Sequence, residues 1–156
     1  MACSSTSPGC DFEIRELEAN ATLAGDGVSG QALLHLLDSR FADRPTEGRD
    51  GLGWSVFASV PKSSVTSIHV HDAASGRILI TIPTGGAFAQ SGPQHITAAG
   101  TSANYPGPVP FDEVFELLGR SPGFVDVHTA SDPEGNLRGE LRVTRRDTAW
   151  TRNTCG

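Results

Sequence analysis

Residues 124–141 constrain the fold more than any other stretch, because apolar and polar side chains alternate along two short segments of it. The segments 124–129 and 137–141 flank a turn at 133–136 that contains a proline and a glycine. A period of two is typical of strands with one buried face, so the stretch predicts a β-hairpin. If the two strands pair in an even register, four polar side chains share one face of the sheet: Asp126, His128, Arg138 and Glu140.

The composition favours a mostly β chain with many turns. The 156 residues include 18 glycines and 10 prolines. Apolar residues at helical spacing are clear only at 111–118, just before Gly119 and Pro122. Short strands between frequent turns are typical of sandwiches and barrels. We therefore expect an antiparallel, Greek-key-like β-sandwich of about seven to eight strands with one short helix.

The charge and the hydropathy pattern exclude two classes of partner. A net charge of −6 at pH 7 leaves no excess of Lys and Arg to neutralise a phosphate backbone, so we expect no nucleic-acid partner. No apolar run approaches the roughly 20 residues that a membrane helix needs, so we also expect no transmembrane segment. A protein or a small molecule is the expected kind of partner.

The three cysteines, Cys3, Cys10 and Cys155, lie near the two ends of the chain. They are either unpaired surface thiols or include a Cys10–Cys155 disulfide, which would be worth about 4–5 kcal/mol through chain entropy. We favour the disulfide, which indicates an extracellular or periplasmic protein whose signal peptide has been removed. Residues 2–4 also resemble a lipoprotein processing site. The predicted layout has three parts: a flexible leader (1–11), one folded domain (12–144) and a C-terminal tail (145–156).

A second polar strand face is predicted at residues 66–72. Ile68 and Val70 lie on one side of this strand, and His69 and His71 lie on the other. Because alternate side chains of a strand share a face, the His-x-His pair presents both imidazoles together. A turn and a second apolar run at the following residues complete a second hairpin.

The segment 83–110 is predicted to be a long loop, rich in Gly, Ala, Ser and Pro, with one short strand at 94–97. Long loops in compact domains are more often functional than inert. We therefore expect this loop to lie beside the histidines.

Several of these motifs together resemble the CHRD domain, named after chordin. They are Ile68-His69-Val70-His71 with its glycine turn, a helical segment ending in Leu-Leu, the 124–129 strand, Pro133, Gly135, and Leu137-Arg138-Gly139-Glu140-Leu141. The resemblance covers roughly residues 12–144. It implies an extracellular β-sandwich module, for which we expect an immunoglobulin-like or a Cu/Zn superoxide dismutase-like architecture. Residues on motif positions are His69, His71, His128, Arg138 and Gly139, whereas Asp126 stands where the family more often has Asn.

Three histidines on adjoining strands can form a metal site. His69, His71 and His128 would supply three ligands to one copper or zinc ion, with water or substrate in the fourth position. The His-Val-His strand is also similar to the ligand strand of Cu/Zn superoxide dismutase, but only His35 and His95 remain, too few for that family's full ligand set. The alternative is a polar layer in which the three histidines bond to Asp126, Arg138 and neighbouring strands.

Arg138, Asp126 and Glu140 are the predicted ligand-binding residues. The guanidinium of Arg138 either pairs with Asp126 or Glu140 across the hairpin, or presents a planar fork to an anion beside the histidines. Gly139 indicates a bulge or a close approach by another backbone. Two functions remain open: an extracellular module that binds a ligand or partner through the histidine-rich face and the 83–110 loop, or a small metalloenzyme with a three-histidine site.

Overall fold

In the computed structural model, the described residues are 12–25, 27–41, 48–58, 60, 65–82, 89–90, 95–101 and 107–153. They form ten strands and one helix: β1 (Phe12–Gly25), β2 (Val28–Phe41), β3 (Gly48–Ala58), β4 (Val65–Asp72), β5 (Ile78–Ile82), β6 (Ala89–Gln90), β7 (His95–Thr101), α1 (Phe111–Arg120), β8 (Gly123–Thr129), β9 (Leu137–Glu140) and β10 (Arg142–Asn153). In this part of the chain, no helix has the length and apolar character that a membrane crossing needs.

The predicted mostly β, antiparallel fold with one short helix is confirmed. The described strands belong to one antiparallel sheet in the order β5-β4-β8-β9-β1-β2-β3-β7-β6, with β10 also paired to β1. The sheet curls into a half-barrel. Strands β4 and β8 are neighbours although β5, β6, β7 and α1 lie between them in sequence. This crossover brings the two predicted polar faces side by side.

Both predicted hairpins are present. Strands β4 and β5 form one, and β8 pairs with β9 in the expected even register, with Asp126 opposite Arg138 and Phe124 opposite Glu140. Gly139 lies where a second backbone approaches closely, because a Cβ atom there would collide with the carbonyl oxygen of Thr22 in β1. The expectation of a close approach at this glycine is therefore confirmed.

The last strand extends beyond the predicted domain boundary at residue 144. Residues 145–153 belong to β10, whose partner along most of its length is β1. Charged residues alternate poorly with apolar ones here, so sequence patterning alone indicated a tail. Backbone pairing with β1 makes this segment a strand, and the ring of Trp150 lies over the guanidinium of Arg40 at 3.8 Å.

Alternate residues of the long strands fill the core. In β1 and β2 the burial alternates residue by residue, and Leu33 on the outer face is 53 % exposed while Leu34 is buried. The helix α1 closes the interior with the apolar side that its spacing predicted. Its buried residues are Phe111, Val114, Phe115, Leu118 and Gly119.

Part of the predicted 83–110 loop forms strands. The described strands of this segment are β6 and β7, and β7 pairs with β3, so the strand predicted at 94–97 is present and longer. In the sheet order, β9, β1, β2 and β3 lie between β8 and these two strands. Residues 83–88, 91–94 and 102–106 lie outside the described residues, as do Cys3, Cys10 and Cys155.

Candidate metal centre

The candidate metal centre lies on the outer face of β4 and β8, and strand register decides which side chains meet there. His69 is directly opposite Asp126, and the flanking pairs are Ser67 with His128 and His71 with Phe124. Side chains directly opposite one another on antiparallel strands have Cβ atoms about 4.5–5.5 Å apart. Asp126 therefore has three histidines around it: His69 directly opposite, His71 diagonally across on β4, and His128 two residues further along β8.

Apolar residues on the inner face hold this register. Ile68 and Val70 of β4 lie opposite Val127 and Val125 of β8, and all four side chains are at most 2 % exposed. A slip by one residue would move these side chains into solvent and the histidines into the core. The hydrophobic pattern thus fixes the polar face without any contribution from a ligand.

The carboxylate of Asp126 is the centre of the cluster. Its Oδ2 lies 3.0 Å from Nε2 of His71, and its Oδ1 lies 3.2 Å from Nε2 of His128 and 3.6 Å from Nδ1 of His69. The Asp126 side chain is only 5 % exposed. His69, His71 and Asp126 can each offer one ligand atom, and these three atoms lie within 4.8 Å of one another.

Two backbone carbonyls determine the tautomers of two histidines. Nδ1 of His71 is 3.0 Å from the carbonyl oxygen of Gly76, and Nδ1 of His128 is 2.8 Å from that of Pro133. A carbonyl oxygen only accepts hydrogen bonds, so each Nδ1 carries the proton and donates it. In the neutral rings, both Nε2 atoms therefore present lone pairs on the Asp126 side. Metal-binding histidines typically show this arrangement, with the second ring nitrogen bonded to a carbonyl.

Two buried atoms of the cluster have no hydrogen-bond partner. They are Nε2 of His71 and Oδ1 of Asp126. The 3.0 Å separation of His71 Nε2 from Asp126 Oδ2 is short enough for a hydrogen bond, but the two groups are not aligned for one. A buried acceptor without a donor is costly, and a cation bound between the atoms would satisfy both of them.

The ring of His69 completes the network. Its Nδ1 lies 3.2 Å from Nε2 of His128. Because Nε2 of His128 carries a lone pair, Nδ1 of His69 donates this bond. Burial lowers the pKa of His69 below its ordinary value, and the nearby His128 and His71 also lower it, against the opposing effect of Asp126. Burial therefore favours the neutral form of His69, which is the form that binds a metal.

The turn after β8 supports the cluster from one side. Gly135 has a φ of 70°, and a Cβ atom there would lie 2.6 Å from the ring of His128. From the other side, the ring of Phe124 stacks on His71 with centroids 4.5 Å apart. The sequence pattern did not predict the roles of Phe124 or of the carbonyls of Gly76 and Pro133. For the two carbonyls, the only sequence signal was the glycine and the proline in the turns.

The structure brings together most of the predicted site residues. His69, His71 and His128 converge as predicted, and Asp126 joins them. Arg138 lies on the same face, but it pairs with neither Asp126 nor Glu140 among the described residues: its Nε and Nη2 atoms donate to the carbonyl oxygen of Gly135. Of the two interpretations of Arg138, pairing across the hairpin is therefore not what the structure shows, because the guanidinium bonds to a carbonyl of the turn.

A second group of potential ligands lies on β1 and β2. It comprises Glu16, Glu18 and His35, and Glu18 and His35 also line an open depression of about 340 Å³. Here Glu16 already has partners, because it accepts from Arg145 at 2.8 Å and lies 3.1 Å from Nε2 of His35. The group on β4 and β8 is therefore the stronger metal candidate.

Comparisons with protein-family models, with curated proteins and with solved structures return no significant match for this chain.

Proposed function

We propose that this protein binds one divalent transition-metal ion through His69, His71 and Asp126, while His128 orients the ring of His69. The observation that carries the proposal is the convergence of lone pairs on Asp126. Nε2 of His71 and a carboxylate oxygen of Asp126 are buried without hydrogen-bond partners, and a backbone carbonyl holds the proton of His71 on the opposite nitrogen.

The same contacts argue against a self-sufficient polar layer. In such a layer each buried acceptor has a donor, and an imidazolium at His71 would aim its Nε2 proton at the carboxylate. The misalignment of these two groups supports a third partner between them. A bound cation would accept both lone pairs and neutralise the buried charge of Asp126.

Zinc is the ion that best fits this donor set. Two imidazole nitrogens and one carboxylate oxygen are ligands of open zinc sites, in which a water or a substrate occupies the remaining position. Copper and iron(II) also accept imidazole and carboxylate. Zinc has the weakest geometric demands of these ions, and His69 would bind it through Nε2, because Nδ1 carries the proton donated to His128.

The test is metal analysis of protein purified without a nickel column, followed by zinc titration calorimetry. We expect one equivalent of zinc in the wild type and loss of stoichiometric binding in His71→Ala and Asp126→Ala. His128→Ala should weaken binding by about 10–100-fold, the typical effect of losing a residue that orients a ligand. All variants should remain folded, since a chain of this length does not need a metal to fold.

The matched control is His35→Ala. His35 is on β2 and contacts Glu16, so its replacement should leave zinc affinity unchanged. Equal losses in His35→Ala and His71→Ala would indicate non-specific binding. If the folded wild type binds no metal at all, the proposal is wrong and the histidines form a polar layer only.

The same proposal covers the location of the protein and the use of its metal centre. The motifs that resemble CHRD domains support an exported module, extracellular or periplasmic, with a Cys10–Cys155 disulfide, that binds a ligand or partner at its metal centre. The alternative is catalysis by the same ion, which an open coordination position would permit. To distinguish ligand binding from catalytic turnover, the protein should be made in an oxidising compartment and assayed with its metal bound.

A further inference from the structure

Arg138 is a cation placed at the edge of the metal centre without an anionic partner in the described part of the chain. It lies directly opposite Asp126 on β9, so the two side chains leave the sheet on the same face. The guanidinium nonetheless turns away from the carboxylate. Its Nε and Nη2 atoms donate to the carbonyl oxygen of Gly135 at 3.3 and 3.2 Å, which leaves Nη1 for another acceptor.

Arg138 and the metal ligand His71 both contact the ring of Phe124. The guanidinium carbon lies 5.6 Å from the centroid of the Phe124 ring, and Phe124 stacks almost parallel on His71, at an interplanar angle of 3°. A cation over an aromatic face is attracted to it. Two carbonyl hydrogen bonds and this ring contact together orient the fork of Arg138 before any ligand arrives.

The histidines form the more exposed side of the metal centre. The side chains of His69, His71 and His128 are 16, 12 and 18 % exposed, whereas that of Asp126 is 5 % exposed. An ion held by three protein ligands retains a position for an exogenous ligand. This position would lie on the histidine side, where the side chains are partly exposed.

The charges around this position favour an anion. A divalent ion, one aspartate and one arginine give a net charge of about +2 when the three histidines are neutral. Asp126 is turned towards the imidazoles and Glu140 does not contact Arg138 in the described structure. An incoming anion would therefore meet both the ion and a guanidinium that no side-chain carboxylate neutralises.

Resting on the proposed metal binding, we infer that the exogenous ligand is a small carboxylate, with one oxygen on the ion and the other accepting from Arg138. A carboxylate suits this site because its two oxygens are coplanar and match the planar fork of arginine. A neutral ligand would not neutralise the charge of Arg138. Arg138 is thus a binding residue for the ligand and not for the metal.

The experiment uses the full-length protein loaded with cobalt(II), whose visible absorption reports a change of ligand at the ion. Acetate is titrated as the probe, with acetamide as the neutral control of similar shape. We expect acetate to shift the spectrum in a saturable manner and acetamide to have no effect. Arg138→Gln should weaken acetate binding by about 10–100-fold, the loss of a charge-assisted hydrogen bond, while zinc affinity without acetate does not fall.

Arg142→Gln is the matched control, because Arg142 begins β10 and is also exposed. It should leave the acetate titration unchanged. An N-acetylated tripeptide with a free C-terminus, compared with its amide, identifies the source of the carboxylate. If the tripeptide binds more tightly than acetate, the ligand is a peptide C-terminus. If it binds no more tightly than acetate, the ligand is a free small acid.

The outcomes separate this inference from the metal proposal. Absence of metal binding overturns both. Stoichiometric metal binding with no spectral response to acetate, or with an equal response to acetamide, overturns the carboxylate inference alone. The same holds if Arg138→Gln and Arg142→Gln bind acetate equally well.

Discussion

At the scale of single residues, the turn after β8 has the greatest influence on the site. The carbonyl oxygen of Pro133 accepts a hydrogen bond from Nδ1 of His128. Gly135 packs against the ring of His128, and its carbonyl oxygen accepts from Arg138. Gly135 adopts a positive φ, which L side chains rarely populate. Glycine is therefore required here for two reasons. The backbone adopts a positive φ, and the imidazole of His128 occupies the space that a Cβ atom would need.

We predict that Gly135→Ala destabilises the fold more than the same change at Gly27. Gly27 and Gly135 have φ values of 74° and 70°, but a Cβ atom at Gly27 would meet no atom within 4 Å. Gly27→Ala should cost about 1–2 kcal/mol through the backbone alone, and Gly135→Ala about 1–3 kcal/mol more through the displaced ring. Urea unfolding and zinc titration measure both effects, and only Gly135→Ala should weaken zinc binding. Equal losses of stability would show that the ring does not depend on this glycine.

At the scale of elements, a buried arginine links α1 to the sheet. Arg15 of β1 pairs with Asp38 of β2 at 2.7 Å and with Asp112 and Glu116 of α1 at 2.9 and 3.3 Å. Its guanidinium also lies over the ring of Phe115 at 4.5 Å. The helix has no side-chain N-cap hydrogen bond, so these contacts and its apolar face hold it in place.

We predict that Arg15→Met lowers the free energy of unfolding by about 3–5 kcal/mol, because it leaves the buried carboxylate of Asp38 without its partner. The double variant Arg15→Met/Asp38→Leu should recover most of this loss. Arg77→Met is the control, since Arg77 pairs with Glu113 of the same helix at 2.7 Å but is half exposed. That surface pair should be worth about 0–1 kcal/mol. Chemical denaturation decides the matter, and similar losses in Arg15→Met and Arg77→Met would contradict it.

At the scale of the whole molecule, the two ends of the described chain lie side by side. Phe12 of β1 pairs with Asn153 of β10 in antiparallel register. Each cysteine of the predicted disulfide lies two residues further outward along the sequence, Cys10 before Phe12 and Cys155 after Asn153. The two cysteines are outside the described residues, so their pairing stays a prediction, but the register of β1 and β10 supports it.

We predict that protein made in an oxidising compartment contains the Cys10–Cys155 disulfide and that Cys10→Ser lowers its stability by about 4–5 kcal/mol, the entropy of closing a long loop. Peptide mapping without reduction identifies the linked pair. Cys3→Ser is the control and should have little effect. Free thiols at both Cys10 and Cys155, or a Cys3–Cys10 linkage, would show that the two chain ends are not joined in this way.

Local pattern was sufficient for several of the elements and for the composition of the polar face. Alternation predicted β4, β8 and β9 and the side on which His69, His71 and His128 lie, because burial of one strand face fixes the other. Helical spacing likewise predicted α1, including the side that packs inward. The strand at 145–153 was missed because its stability comes from pairing with β1 and not from an apolar face of its own.

The sequence by itself determined which residues could share a face, but only the tertiary structure decided which of them meet. Asp126 lies opposite His69 because β4 and β8 are neighbours in the sheet, and strand order depends on backbone pairing over long separations in sequence, which alternation does not encode. The same holds for Arg138, whose partner is a turn carbonyl and not the carboxylate opposite. The placement of lone pairs around Asp126, and with it the case for a metal, therefore follows from the fold.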